Sequence, residues 1–129
     1  MATDLTIQVP NEPGALARVA AAVADAGVNL SAVTCDADGS VTDMHVLVKH
    51  PEAAKHALAT AAVTVTGQRE VVVVECEDRP GVLADLARQV AEAGVNIDLV
   101  YVATGTRVVF GSRDIEGLRR ALGEVPAVA

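Results

Sequence analysis

Leu5, Ile7 and Val9 alternate with Asp4, Thr6 and Gln8 at the start of the chain. A period of two puts successive side chains on opposite faces of an extended backbone, so this stretch predicts a half-buried strand. The period then lengthens. After Pro13-Gly14, residues Leu16, Val19, Ala20 and Val23 recur at i, i+3, i+4 and i+7. That spacing predicts a helix with one apolar face, opened by Pro13 in its first turn and closed by Gly27. A second strand is expected from Leu30 to Cys35, a hairpin turn at Asp36-Ala37-Asp38-Gly39, and a third strand over about 41–48. His50-Pro51 opens a second helix with Ala54, Leu58 and Ala61 inward, and residues 63–66 make a fourth strand. The predicted order is β-α-β-β-α-β.

The pattern then repeats. Asn11-Glu12-Pro13-Gly14-Ala15-Leu16-Ala17 returns as Asp78-Arg79-Pro80-Gly81-Val82-Leu83-Ala84, an offset of 67 residues (Pro13 to Pro80). At the same offset Ala26-Gly27-Val28-Asn29-Leu30 returns as Ala93-Gly94-Val95-Asn96-Ile97, and Val23 and Ala20 match Val90 and Ala87. The chain is a tandem duplication, with repeats expected at 1–67 and 68–129. In the second copy Val72, Val74 and Cys76 take the inward places. Leu83, Leu86, Ala87 and Val90 face inward from its first helix, and Ile115, Leu118 and Leu122 from its second. Its hairpin, turning at Thr104-Gly105, is three residues shorter, and Pro126 makes the stretch 125–129 a poor strand. A unit of about 60 residues is marginal alone, and two sharing a sheet relieve this. Val71 and Val73 make the outer strand face of the second copy apolar, which predicts cover from a second chain.

Composition narrows the chemistry. The chain has 129 residues, 51% hydrophobic but only 2% aromatic, and a net charge of −7. An acidic surface has the wrong sign for phosphate backbones, and the stacking rings of nucleic-acid modules are missing. No stretch approaches the ~20 apolar residues of a membrane span, and residues 1–4 have no secretory character. Two cysteines, Cys35 and Cys76, make neither a disulfide framework nor a zinc site, which fits a reduced, cytoplasmic setting. Cys76 reads as a buried apolar thiol. His45, His50 and His56 lack ligand spacing and read as surface or turn residues, so no metal and no cofactor are expected. Arg113 with Arg119-Arg120 reads as a solvated helix face. No nucleophile–base pair or acid–base dyad is visible, so no catalytic residue is assigned.

One constellation has chemistry. Pro13-Gly14 would present the N–H groups of Gly14, Ala15 and Leu16 at a helix N-terminus, where the dipole favours anions. Asn11 stands beside it, and Asn29, opening the next strand, is expected to reach the same end of the sheet. Two amides and a helix N-terminus can pair both the carboxylate and the ammonium of an α-amino acid. The plainer alternative is that Asn11 and Asp78 cap helices and that Asn29 and Asn96 follow glycine turns.

Asn-x-Pro-Gly-x-Leu (with Asp78 for the Asn in the second copy), a helix of about four turns, Gly-Val-Asn-Leu or Ile and a second β-α-β unit, in two tandem copies, resemble the ACT domain. The resemblance spans nearly the whole chain and implies an α+β fold. It implies two ferredoxin-like βαββαβ repeats side by side, with antiparallel sheets and helices on one face. It further implies a non-catalytic regulatory protein that binds a small amino acid at the seam between paired repeats, as a homodimer, and acts on a partner enzyme or regulator. Site residues carried over are Asn11, Gly14, Ala15, Leu16 and Asn29 in the first copy. In the second they are Asp78, Gly81, Val82, Leu83 and Asn96. Asp78 replaces an asparagine and would repel a carboxylate, which predicts unequal sites. The rival expectation is an assembly module without a ligand.

Overall fold

The computed structural model describes residues 2–123. Its elements are β1 (Ala2–Pro10), α1 (Ala15–Asp25), β2 (Leu30–Asp38), β3 (Val41–Val48), α2 (Pro51–Thr60), β4 (Thr64–Glu75), α3 (Val82–Glu92), β5 (Leu99–Ala103), β6 (Arg107–Gly111) and α4 (Ile115–Leu122). All ladders are antiparallel, and the class is α+β. Contacts divide the chain between Arg69 and Glu70 into two compact units, and β4 runs through that division. The expected last strand, 125–129, lies outside the described residues.

In the N-terminal unit the strand order is β2-β3-β1-β4. Leu5, Ile7 and Val9 face Val19 and Val23 of α1 and Ala54 and Leu58 of α2, in a core closed by Met44, Val46, Val48 and Val63. In the C-terminal unit the order is β4-β6-β5, and Val72, Val90, Val108, Phe110 and Leu118 form the equivalent core. Helices therefore cover one face of each sheet, as alternation along the strands demands.

Four expectations are corrected. The helices begin at Ala15 and Val82, so the buried stripe of α1 is Ala15, Val19 and Val23, while Leu16 and Leu83 are 49% and 47% exposed. The first hairpin is tighter than expected. β2 continues to Asp38 opposite Val41, leaving only Gly39 and Ser40 to turn. Val71 and Val73, expected to await a second chain, are already fully buried within this one. Finally, Asp4 does not lie on a solvated strand face: it is fully buried and bonds Nδ1 of the half-buried His45 at 3.0 Å. A buried carboxylate needs such a partner to offset its lost hydration.

One helix terminus breaks the local rule. Gly27 and Gly94 follow α1 and α3 with φ 73°, where a residue without Cβ is unstrained. Ala62 holds the same place after α2 with φ 59°, and Val63 N bonds Leu58 O as Val28 N bonds Val23 O. A left-handed alanine is strained by ~1–2 kcal/mol, and glycine returns part of that as unfolded-state entropy. Ala62→Gly is expected to raise stability by about 0.5–1 kcal/mol, read as a higher urea midpoint with an unchanged slope.

Candidate functional site: the two ends of each repeat

Glu12-Pro13-Gly14-Ala15 is a tight turn, not the first turn of a helix. Ala15 N bonds Glu12 O at 3.3 Å and Gly14 sits at φ 88°, ψ −8°. Proline at the second position and a left-handed glycine at the third are what a type II turn requires. The second copy repeats it, with Val82 N to Arg79 O at 3.4 Å and Gly81 at φ 88°, ψ −7°. Because Ala15 N is engaged and Arg18 N bonds Gly14 O, the N–H groups left open among the described residues are those of Gly14, Leu16 and Ala17. In the second copy they are those of Gly81, Leu83 and Ala84.

Neither helix has a side-chain cap, so Asn11 and Asp78 are not capping residues. Asn11 instead ties its turn to the neighbouring hairpin: its Nδ2 donates to Gly39 O at 3.0 Å and its backbone N to Ser40 O at 2.9 Å. The carboxamide oxygen faces no protein donor among the described residues. Electrostatics separate the two copies. The first turn of α1 has no acidic residue and is followed by Arg18. In α3 that place holds Asp85, bonded by Arg79 and Arg88 at 3.2 Å each. The Arg79 hydrogen bond, then that of Arg88, holds the Asp85 carboxyl below its usual range. The second turn thus combines Asp78 and Asp85 with Arg79 and Arg88, where the first has Asn11, Glu12 and Arg18.

Asn29 does not reach this end. Pro10 stands opposite Val41, and Val41 opposite Asp38, at the Pro-Gly end. Thr3 stands opposite Val48, and Val48 opposite Leu30, at the other. The eleven residues of α1 carry the chain back across the sheet, about 16 Å at about 1.5 Å per residue. Asn29 follows that helix and lies at the far end. Asn96 does likewise, since Asp98 N bonds Gly111 O while Cys76 N, at the opposite end, bonds Thr106 O, both at 3.0 Å. The two amides of one repeat therefore cannot hold one small ligand together, which corrects the expected convergence.

The Asn96 end is itself concave. Gly94, Asn96, Asp98, Ser112, Arg113 and Asp114 line a groove of about 430 Å³. Arg113 thus belongs to the loop before α4 rather than to a helix face, while Arg119, only 17% exposed, pairs with Glu70 and Glu116. The signal for this loop was a cation at Lys49 and Arg113 once the shorter hairpin is allowed for. Cys35 is exposed and Cys76 half-buried, its thiol donating to Thr106 O. Among the described residues no group of His, Cys, Asp or Glu is arranged to hold a metal ion, and no helix is long and apolar enough to cross a membrane.

The ACT domain model matches this chain twice, over residues 3–62 and 71–126. No curated protein matches it in sequence. Among solved structures, a protein from Bacteroides thetaiotaomicron is 25% identical, with TM-score 0.82 over 92% of this chain and 84% of that one. The ligand-free regulatory subunit of aspartate kinase from Thermus thermophilus is 25% identical, with TM-score 0.68 over 93% of this chain and 88% of its own. That subunit from Thermus flavus gives 25% and 0.60 over the same shares. With the family model covering most of its length in two copies of one fold, this chain belongs to the ACT-domain family.

Proposed function

We propose that the protein is a non-catalytic sensor that binds a small α-amino acid at the Pro-Gly end of its N-terminal repeat and passes the signal to a partner enzyme or regulator. The observation that carries this reading is the open N-terminus of α1, with free N–H groups at Gly14, Leu16 and Ala17 and no acidic residue in its first turn. A ligand carboxylate gains from those donors and from the helix dipole, while the Asn11 carboxamide oxygen accepts from the ammonium. The exposed Leu16 beside them gives an apolar ligand side chain a surface. The C-terminal repeat, where Asp78 stands in place of Asn11, is the weaker carboxylate site. The regulatory-subunit neighbours support a regulatory role.

A thermal-shift screen against the twenty amino acids, with an extrinsic dye because Trp is absent, tests the reading. Ligand at 100 times its Kd stabilises by about 2.7 kcal/mol, a shift of several degrees for a chain of this size. Asn11→Ala is expected to weaken the response to the active compound, and a flat screen on ligand-free protein would overturn the sensor. The rival assembly module draws on β5, an edge strand without a charge whose Val100 and Val102 are 46% and 71% exposed. A flat screen would leave that reading in place.

A further inference from the structure

We propose that the groove between α2 and the start of β4 in the N-terminal repeat is a binding site for a short aliphatic monocarboxylate. Lys55 and Gln68 receive the carboxylate, and Ala59, Val63 and Val65 cover the hydrocarbon tail. The site shares no residue with the amino-acid site above and does not rest on it.

Three observations carry it. The first is the groove, whose about 420 Å³ is of a size that holds small molecules. Its apolar lining is Val63, 5% exposed, the half-buried Val65 and Ala59 of α2. Lys55 lies one turn before Ala59 on the same side of α2, which brings a cation to the edge of that apolar surface.

The second is the state of the polar groups. Lys55 Nζ donates to Gln68 Oε1 at 2.9 Å and pairs with Glu52 at 3.1 Å, which leaves one of its three N–H groups open among the described residues. Because Gln68 spends its oxygen on Lys55, its Nε2 keeps two unused donors there. An ammonium and an amide donor side by side form a fitting receptor for a carboxylate. Among the described lining residues there is no carboxylate, so the groove itself offers an α-ammonium no partner. Glu52, 81% exposed and already paired with Lys55, disfavours a second negative charge on the ligand.

The third is a break in β4. Val65 packs on the core beneath the helices, and Gln68, three residues on, meets Lys55 of α2. Strict alternation would put residues three apart on opposite faces. Between them Gly67 faces away from the helices, since a Cβ built on it meets Thr6 Cβ at 3.6 Å and Thr6 alternates with the core residues Leu5 and Ile7. Alternation is therefore lost at Thr66-Gly67, as at a β-bulge, and the Thr66 hydroxyl ties this stretch to Thr6 O at 3.3 Å. Bulges re-aim side chains. This one turns Gln68 to the groove, where an amide adds nothing to the apolar core.

The test is a titration of the ¹⁵N-labelled full chain with sodium 4-methylpentanoate, followed by backbone amide resonances. The expected result is a saturable shift at Lys55, Ala59, Val63, Val65 and Gln68. It should be absent with 4-methylpentanamide, which lacks the carboxylate, and at least about tenfold weaker with acetate, which lacks the tail. Lys55→Gln should weaken binding about tenfold or more, Lys55→Arg should restore part of it, and unchanged spectra elsewhere establish that both variants fold. The same shifts with the amide, or undiminished in Lys55→Gln, would overturn the site, as would a titration that moves none of these resonances. Shifts confined to the Gly14 turn would overturn it too and leave the sensor reading standing.

Discussion

Phe110→Ala is expected to lower the unfolding free energy by about 3–5 kcal/mol, the largest effect of any single substitution considered. Phe110 is the only phenylalanine in the chain and is fully buried on β6 opposite Val72. Its neighbours Val72, Val90 and Val108 are β-branched and stiff, and like Leu118 they are fixed on strands and helices, so little can swing in to fill the space. The cost is therefore the lost transfer energy plus most of the cavity. A domain of this size has about 5–15 kcal/mol in all, so the C-terminal repeat should be close to unfolding. Urea unfolding followed by circular dichroism measures it. Val100→Ala, at an exposed position, serves as the control and should change stability by less than about 0.5 kcal/mol. A loss below about 1 kcal/mol for Phe110→Ala would mean that the core is not built around this ring.

The second large effect concerns the Pro-Gly turns. Gly14 and Gly81 share φ 88°, and a Cβ built on either meets no atom within 4 Å. The cost of alanine there is thus torsional and not steric, about 1–2 kcal/mol at each site. The two positions belong to separate compact units, so the double variant Gly14→Ala/Gly81→Ala should lose the sum, about 2–4 kcal/mol. Asparagine tolerates the left-handed region, so Gly14→Asn should cost less than Gly14→Ala. An equal cost for both would show that packing, not φ, sets the requirement. The functional consequences differ between the sites. Gly14→Ala should weaken the amino acid response of the N-terminal repeat, because the turn must reorganise around its open N–H groups, whereas Gly81→Ala should leave that response unchanged.

Most of the architecture was legible in the chain. Leu5, Ile7 and Val9 announced an inward strand face, Val19 and Val23 the helix stripe, and the return of Pro-Gly and Gly-Val-Asn after 67 residues the duplication. The errors share a cause. Leu16 satisfies the helical spacing as well as Ala15 does, and only the position of the turn, which makes Ala15 the first helical residue, decides which of them faces the core. Val71 and Val73 read as an uncovered face because a sequence pattern records polarity, not what lies above it.

The candidate site was legible as residue types and not as a place. Asn11, Gly14, Asn29 and their counterparts are found by repetition, but Pro13-Gly14, which helical spacing places in the first turn of α1, forms a type II turn before it. Period, turn chemistry and duplication are properties of neighbours along the chain, and the sequence determines them. Which groups meet is a property of distant segments. That Asn29 stands across the sheet from Asn11, that Asp4 is buried against His45, and that Arg113 shares a groove with Asn96 were decided only by the tertiary structure. The direction of each helix return and the register of each ladder set those distances, and side-chain identity leaves both open.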